Sequence, residues 1–478
     1  MTQQAVNPYL PSWEYIPDAE PRVFGGRVYV FGSHDRFGGD VYCLNDYVGW
    51  SAPVENLADW CFEGVIYRKV QDPLNPEGEQ RMNAPDVVQG PDGRYYLFYA
   101  LHREPVISVA VCDAPVGEYQ FYGHVQTPDG QLCGKKHGDV YNFDPGVLVE
   151  DGRVFLYTGF APEGKIYDLL KHAEKRIDAA YCIELEPDML TLVGEAAAVI
   201  PGPHAAEGTS FEAHPFFEAS SPRRIGDRYY LIYSSSLSHE LCYAISDRPD
   251  GGFTFGGTIV SIGDIGFEGN EKPTSTLGNT HGGLAEIAGN WYVFYHRHTN
   301  GTPYSRQAAA ERIEIRDDGS IPQVEVTSCG LNGGPLAGTG RYEARIACNL
   351  ANSGHEISHS KAAQEQEQAY PYFTQSGEDR VGQGDQYLAN LRDGAWAGFK
   401  YFDFQDESRI TVSMRGTGRG TVEISPERGG ASIASVPVRP DSDWYEESAD
   451  FAAPQGVSPL NFTYRGTGSI DVRAFEIS

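Results

Sequence analysis

The chain has 478 residues, too many for one ordinary domain and enough to bury large cores. Its formal net charge of −29 argues against nucleic acid or an anionic membrane as a partner, since a polyanion would be repelled. With 55 Gly, 30 Pro, 29 Tyr and 23 Phe against only 4 Met, the composition is that of short aromatic strands joined by many turns, and an all-β protein is expected.

The first residues, "MTQQAVNPYLPSWEY", carry neither a basic n-region nor an apolar h-region, and no run approaches a membrane span. A cytoplasmic location is the expectation. The cysteines at 43, 61, 112, 133, 182, 242, 329 and 348 show no CxxC spacing and no pairing rhythm, so they read as reduced packing residues, without a zinc site.

From residue 24 onward one pattern recurs: a tight turn, an Arg or Asn, then a run of Tyr, Val, Leu and Phe. The copies are "FGGRVYVFGSHD", "PDGRYYLFYALH", "EDGRVFLYTGFA", "IGDRYYLIYSSS" and "IAGNWYVFYHRH", marked by Arg27, Arg94, Arg153, Arg228 and Asn290. The intervals between markers are 67, 59, 75 and 62 residues, each with room for four strands. Every copy reads as the second strand of a hairpin. Five such units predict a five-bladed β-propeller.

The first strand of a blade lines the central axis, so acids seven to ten residues before each marker should converge on one funnel. They are Glu20, Asp86, Asp144 and Glu218, with His281 in the fifth repeat. Gathering like charges is costly, and folding alone does not require it. It does suit glycosidic bond cleavage, in which one carboxyl must stay protonated and another ionised. Glu212 is a rival acid beyond the expected offset. His34 and Asp35 close the first hairpin as a structural pair or as the funnel mouth. Asp144 is expected to be structural or to bind water.

These segments resemble glycoside hydrolase family 43 over about residues 7 to 349. The resemblance implies a five-bladed propeller hydrolysing with inversion. "NAPDVVQGPDGRYYLFYA" is similar to the segment whose aspartate tunes the acid, giving Asp86 that role. "FFEASSPRRIGDRYYLIYSS" is similar to the general-acid segment, giving Glu218. "NTHGGLAEIAGNWYVFYHRH" resembles the blade bearing an axial histidine, His281, and "YSRQAAAERIEI" the segment whose arginine, Arg306, reaches the pocket. Where the family has an Asp-Pro base the chain has Glu20-Pro21. Glu20 is therefore expected as base, with Asp18 as the alternative, otherwise a substrate-binding residue. The implied substrate is an oligosaccharide ending in α-L-arabinofuranose, or alternatively β-D-xylose or galactofuranose; a non-catalytic sugar-binding propeller is the competing reading. No cofactor is required. A structural calcium is compatible with the axis near His281 or with the C-terminal domain.

After about residue 325 the repeat stops, and the Gly-rich "CGLNGGPLAGTGRYEARIACNL" is expected to close the propeller, which is given residues 1–350. "NSGHEISHSKAAQEQEQAY" reads as a linker or surface loop. Alternating strands return from Pro371, and residues 351–478 are expected to form a jelly-roll β-sandwich resembling carbohydrate-binding module family 6. Trp396 and Trp444 are its candidate sugar-stacking aromatics, with a purely structural sandwich favoured.

Overall fold

The computed structural model describes residues 4–354, 370–380 and 384–478. Five antiparallel sheets follow one another: four of four strands each, within residues 20–67, 82–124, 146–201 and 216–261, and a three-stranded fifth within residues 284–313. They are the five blades. Every marker opens or immediately precedes the second strand of its sheet: Arg27–Phe31, Tyr95–Leu101, Arg153–Thr158, Arg228–Ser235 and Asn290–His298.

The apolar runs are continuous because both faces of each blade are covered. Successive side chains on a strand point to opposite faces. In blade 1, Tyr29 and Phe31 enter a core shared with Leu97 and Tyr99 of blade 2, while Val28 and Val30 join Phe294, Ala308 and Ala310 of blade 5. Tyr96 and Phe98 turn the other way, onto Val154 and Leu156 of blade 3. Phe155 and Tyr157 meet Leu231 and Tyr233, and Tyr230 and Ile232 meet Val293 and Tyr295. Five seams close the ring, and each fully buried aliphatic or Phe side chain contributes about 1.5–3 kcal/mol.

The ends of the ring are joined at the axis by a parallel bridge between Ala19 and Gly282. Around the rim, Asn7 clamps the N-terminal segment onto blade 5. Its Nδ2 donates to the Ala310 carbonyl at 2.9 Å, and its Oδ1 accepts the Ala310 N–H at 3.0 Å.

Two six-stranded sheets enclosing a single core form the C-terminal sandwich. Its strands begin earlier than residue 351. Leu336–Ala337 and Asn349–Ala351 pair along one edge of Trp396–Phe404 in one sheet, and Gly340–Glu343 pairs with Ile470–Ile477 in the other. The segment expected to close the propeller is therefore sandwich. These strands are two to four residues long and pair with partners far along the chain, which local patterning does not register. Most of the expected linker, 355–369, lies outside the described residues. Trp396 is buried in the sandwich, whereas Trp444 is half-buried against Tyr387, between Arg415 and Arg473.

Candidate active site

The blade register divides the axial residues into two layers. Glu20 pairs with Phe31, Asp86 with Phe98, Gly146 with Tyr157 and Ser221 with Ile232, each partner lying four residues after its marker. In blade 5 the equivalent Phe294 donates its N–H to the Gly283 carbonyl. These five positions are one layer. Two residues upstream lies another, with Asp18, Ala84, Asp144 and His281, and with Glu218 three residues upstream across a β-bulge.

The upstream layer opens into a cavity of about 410 Å³. Asp18, Asp144, Glu218, His281 and Arg306 line it, beside an aromatic wall of Phe143, Phe160 and Phe217. The backbone bends sharply there. Asp18 (φ 56°), Ala84 (φ 27°), Asp144 (φ 46°) and Ala219 (φ 72°) occupy left-handed conformations. Such geometry in non-glycine residues costs on the order of 1–3 kcal/mol each and is typical of functional sites.

The carboxyls in this cavity are tuned in opposite directions. Burial opposes ionisation of Asp18, but the Arg306 guanidinium outweighs it and holds the group down at about 2. Arg306 Nη1 donates to Asp18 Oδ1 at 3.0 Å. Glu218 is pushed up to about 8, first by burial and then by the Asp18 charge. Asp144 is raised as well, by burial and then by Glu218 and Asp18. His281 Nδ1 lies 3.5 Å from Asp144 Oδ2, and burial lowers the imidazole below its ordinary range.

Glu20 and Asp86 do not reach the cavity. Arg223 Nη2 donates to Glu20 Oε2 at 2.7 Å. Asp86 takes Arg22 Nε at 2.9 Å and Nη2 at 2.5 Å, and the Val147 N–H at 2.7 Å. Both belong to the deeper layer, where two acids and two arginines cross-link blades 1, 2 and 4. Glu20 and Asp86, expected as base and tuning acid, thus lie outside the cavity lining, whereas Asp18, the alternative base, and Asp144 lie within it. Counting back from the marker mixed the layers, because Glu20 and Asp86 lie seven and eight residues before theirs, while Asp18, Asp144 and His281 lie nine. Glu212 is exposed and outside the cavity lining.

Further residues support Arg306 and Asp18, among them Asp35, expected from the sequence as a structural or funnel-mouth residue. Asp35 is fully buried and accepts Arg306 Nε at 2.9 Å and Nη2 at 3.0 Å, fixing the guanidinium in a bidentate pair. His296 Nδ1 accepts the Asp18 N–H at 3.2 Å. Its Nε2 therefore carries the proton and donates to the Asn279 carbonyl at 2.8 Å. The Asn279 side chain lines the cavity together with Glu218. Alternation along "FYHRH" places His296 on the buried face, and that was the available clue.

A buried cavity with oppositely tuned carboxyls matches what comparison with known proteins finds. The profile of glycosyl hydrolases family 43 matches residues 54–321. The chain belongs to this family. It is 50% identical over 483 residues to a xylosidase/arabinosidase of Thermoclostridium stercorarium, covering 100% of this chain and 99% of that one. A xylosidase/arabinosidase of Bacteroides ovatus is 27% identical over 345 residues, 66% of this chain and 97% of its own. In fold, the chain resembles a family 43 arabinoxylan arabinofuranohydrolase of Bacillus subtilis, solved with cellotetraose. The TM-score is 0.50 at 20% identity, covering 99% of this chain and 97% of that one. The family 43 protein described here is a glycosidase, and the non-catalytic alternative falls away.

For the calcium expected near His281, the carboxyl at hand is Asp144, whose Oδ2 lies 3.5 Å from His281 Nδ1; in the deeper layer Glu20 and Asp86 are matched by Arg223 and Arg22. Among the described residues the grouping of three donors within ligating reach is His214, Glu240 and Cys242, in blade 4 rather than in the sandwich. There Glu240 is already taken by His214 Nδ1 at 2.6 Å, Ser235 Oγ at 2.6 Å and Thr258 Oγ1 at 3.0 Å.

Proposed function

We propose that the protein releases a terminal pentosyl residue from oligosaccharides with inversion, with α-L-arabinofuranosyl first and β-D-xylosyl as the alternative. In this reading Asp18 is the base, whose charge together with burial keeps the acid Glu218 protonated, and Asp144 is the third carboxyl of the cavity. The observation that carries it is the opposite tuning of Asp18 and Glu218 in one cavity, the condition for acid and base to act at the same pH.

Glu218 gives its proton to the glycosidic oxygen as the bond to the anomeric carbon breaks. Asp18 takes a proton from the water that adds to the opposite face of that carbon. Solvent then returns Asp18 and Glu218 to their starting states. Arg306 holds Asp18 ionised and, with His281, faces the reacting sugar. No cofactor enters any step. The cavity lies toward the small end of ligand sites, which suits one terminal ring better than the interior of a polymer. The names of the relatives supply the two candidate sugars.

Proton NMR of the first product formed from 4-nitrophenyl α-L-arabinofuranoside and β-D-xylopyranoside tests the reading. An inverted anomer is expected, with turnover on the arabinoside at least as fast as on the xyloside. A retained anomer overturns the mechanism, and exclusive xyloside cleavage overturns the sugar order.

A further inference from the structure

We propose that the C-terminal sandwich is a working part of the hydrolytic site, with Asp379 as a positioning residue that sets the geometry of Arg306 and thereby of Asp18. The proposal rests on the cavity being the hydrolytic site, as argued above.

Asp379 lies in the loop that follows the sandwich strand Tyr372–Thr374. Its Oδ1 accepts the Phe37 N–H at 2.7 Å, and its Oδ2 accepts Asn45 Nδ2 at 3.2 Å. These are the two ends of a propeller loop, so one carboxylate from the other domain staples the loop at its neck. Asn45 Nδ2 also donates to the Asp35 carbonyl at 3.0 Å.

The stapled loop carries Tyr42 and Cys43, both in the cavity wall. The Arg306 guanidinium sits 4.7 Å from the centroid of the Tyr42 ring, a cation–π contact. The Cys43 N–H donates to Asp35 Oδ1 at 2.9 Å, and Asp35 is the bidentate partner of Arg306. A displaced loop would remove both the ring over the guanidinium and one donor that orients its carboxylate. Arg306 would then be less well aimed at Asp18.

A second contact from the same sandwich loop supports the arrangement. Arg380 Nη1 lies 2.6 and 2.7 Å from the two oxygens of buried Glu14. It is also 3.1 Å from His34 Nε2. His34 Nδ1 donates to the Asp46 carbonyl at 2.7 Å, and its Nε2 also lies 3.0 Å from Glu14 Oε1, so the imidazole, Arg380 and Glu14 form one cluster. Tyr15 completes the seam by donating its hydroxyl to Gln375 Oε1 at 2.7 Å. The sandwich thus grips both sides of the loop that builds one cavity wall.

The test measures kcat, KM and thermal unfolding on the full chain for Asp379→Ala and Asp379→Asn, beside Asp18→Asn and Glu218→Gln in the same assay. Asp379→Ala is expected to lower kcat about tenfold, the scale of one lost hydrogen-bonded alignment, with KM within about threefold. Asp379→Asn keeps an acceptor for the Phe37 N–H and should recover part of the loss. Wild-type kcat in folded Asp379→Ala overturns the proposal. So does an unfolding shift with normal kcat per folded molecule, or an insoluble Asp379→Ala beside a fully active Asp379→Asn. Undiminished activity in Asp18→Asn and Glu218→Gln would instead count against the assignment of the cavity itself.

Discussion

Arg306 binds two aspartates at once, Asp18 through Nη1 and Asp35 through Nε and Nη2, with all three side chains buried. Asp35 holds the guanidinium in place, and Asp18 is left as the carboxylate facing the cavity. This arrangement distinguishes Asp18 from Glu20 two residues away, whose own arginine partner is in the deeper layer.

Replacing Asp18 by Asn keeps the shape and removes the basicity. Loss of a positioned base costs about 10²–10⁴-fold, so kcat of Asp18→Asn should fall by that amount on either aryl pentoside. Glu20→Gln should keep kcat within about threefold, since the residue never meets substrate. The reverse ranking would restore Glu20 as base.

The pH profile should be governed on its alkaline side by Glu218. A proton donor tuned to about 8 is lost as the pH rises through that value, so kcat/KM should fall above it. Asp18, held at about 2, imposes no limb at mildly acidic pH. Stability follows the same sign. The folded chain keeps a proton on Glu218 that the unfolded chain releases near its ordinary 4.5, so this group costs stability as the pH rises from about 4.5 to about 8. Denaturant melts of Glu218→Gln should show a weaker pH dependence across that window than wild type.

The leaving group separates acid from base. A 4-nitrophenolate departs without protonation, whereas a sugar alkoxide does not. Glu218→Gln should therefore lose far more activity on an oligosaccharide than on the aryl glycoside, by about 10²-fold or more. Equal losses on the two substrates would remove Glu218 from the acid role.

What was legible in the sequence was the periodic part. Five marker strands repeat because each blade meets the same physical demand, two buried faces, and that demand imposes Tyr, Val, Leu and Phe at every step. Glu218, His281 and Arg306, all in the cavity lining, were singled out from segments with family character. The proposed roles of Asp18 and Asp144 were not, because the relevant register is set by hairpin pairing. Gly90–Arg94 forms a longer turn in blade 2, and a bulge adds a residue in blade 4. A fixed count back from the marker therefore lands in different layers in different blades. Asp379 was beyond reach for another reason: its partners, Phe37 and Asn45, lie more than 300 residues away.

The deeper layer predicts a separation of stability from activity. Asp86 is fully buried and paired with Arg22, and removing one partner of such a pair leaves an uncompensated charge at a cost of about 3–5 kcal/mol. Asp86→Ala should lower the unfolding midpoint strongly while the surviving folded protein keeps its KM and most of its kcat. A selective loss of kcat with an unchanged midpoint would mean that Asp86 acts on the reaction after all.

The closure of the ring offers the sharpest structural test of how the site is held. Gly282 pairs with Ala19, so blades 1 and 5 meet at the residues that follow Asp18 and His281. A Cβ at Gly282 would lie 1.9 Å from the Phe294 carbonyl oxygen and 2.6 Å from its carbon. Both are backbone atoms of the second strand of blade 5 and cannot rotate away, so the methyl group pushes the segment of His281 and Gly282 off that strand. Overpacking of this kind costs about 1–3 kcal/mol or more. Because the displaced segment carries His281 and is bridged to Ala19, next to the proposed base Asp18, Gly282→Ala should lose kcat as well as stability. Gly289→Ala, in the turn of the same blade, meets no atom within 4 Å but sits at φ 79°, so it should cost stability alone. Thermal melts and kcat for the two variants check the distinction. Parallel losses of kcat in both would show that the effect is general weakening of blade 5 rather than displacement at the axis.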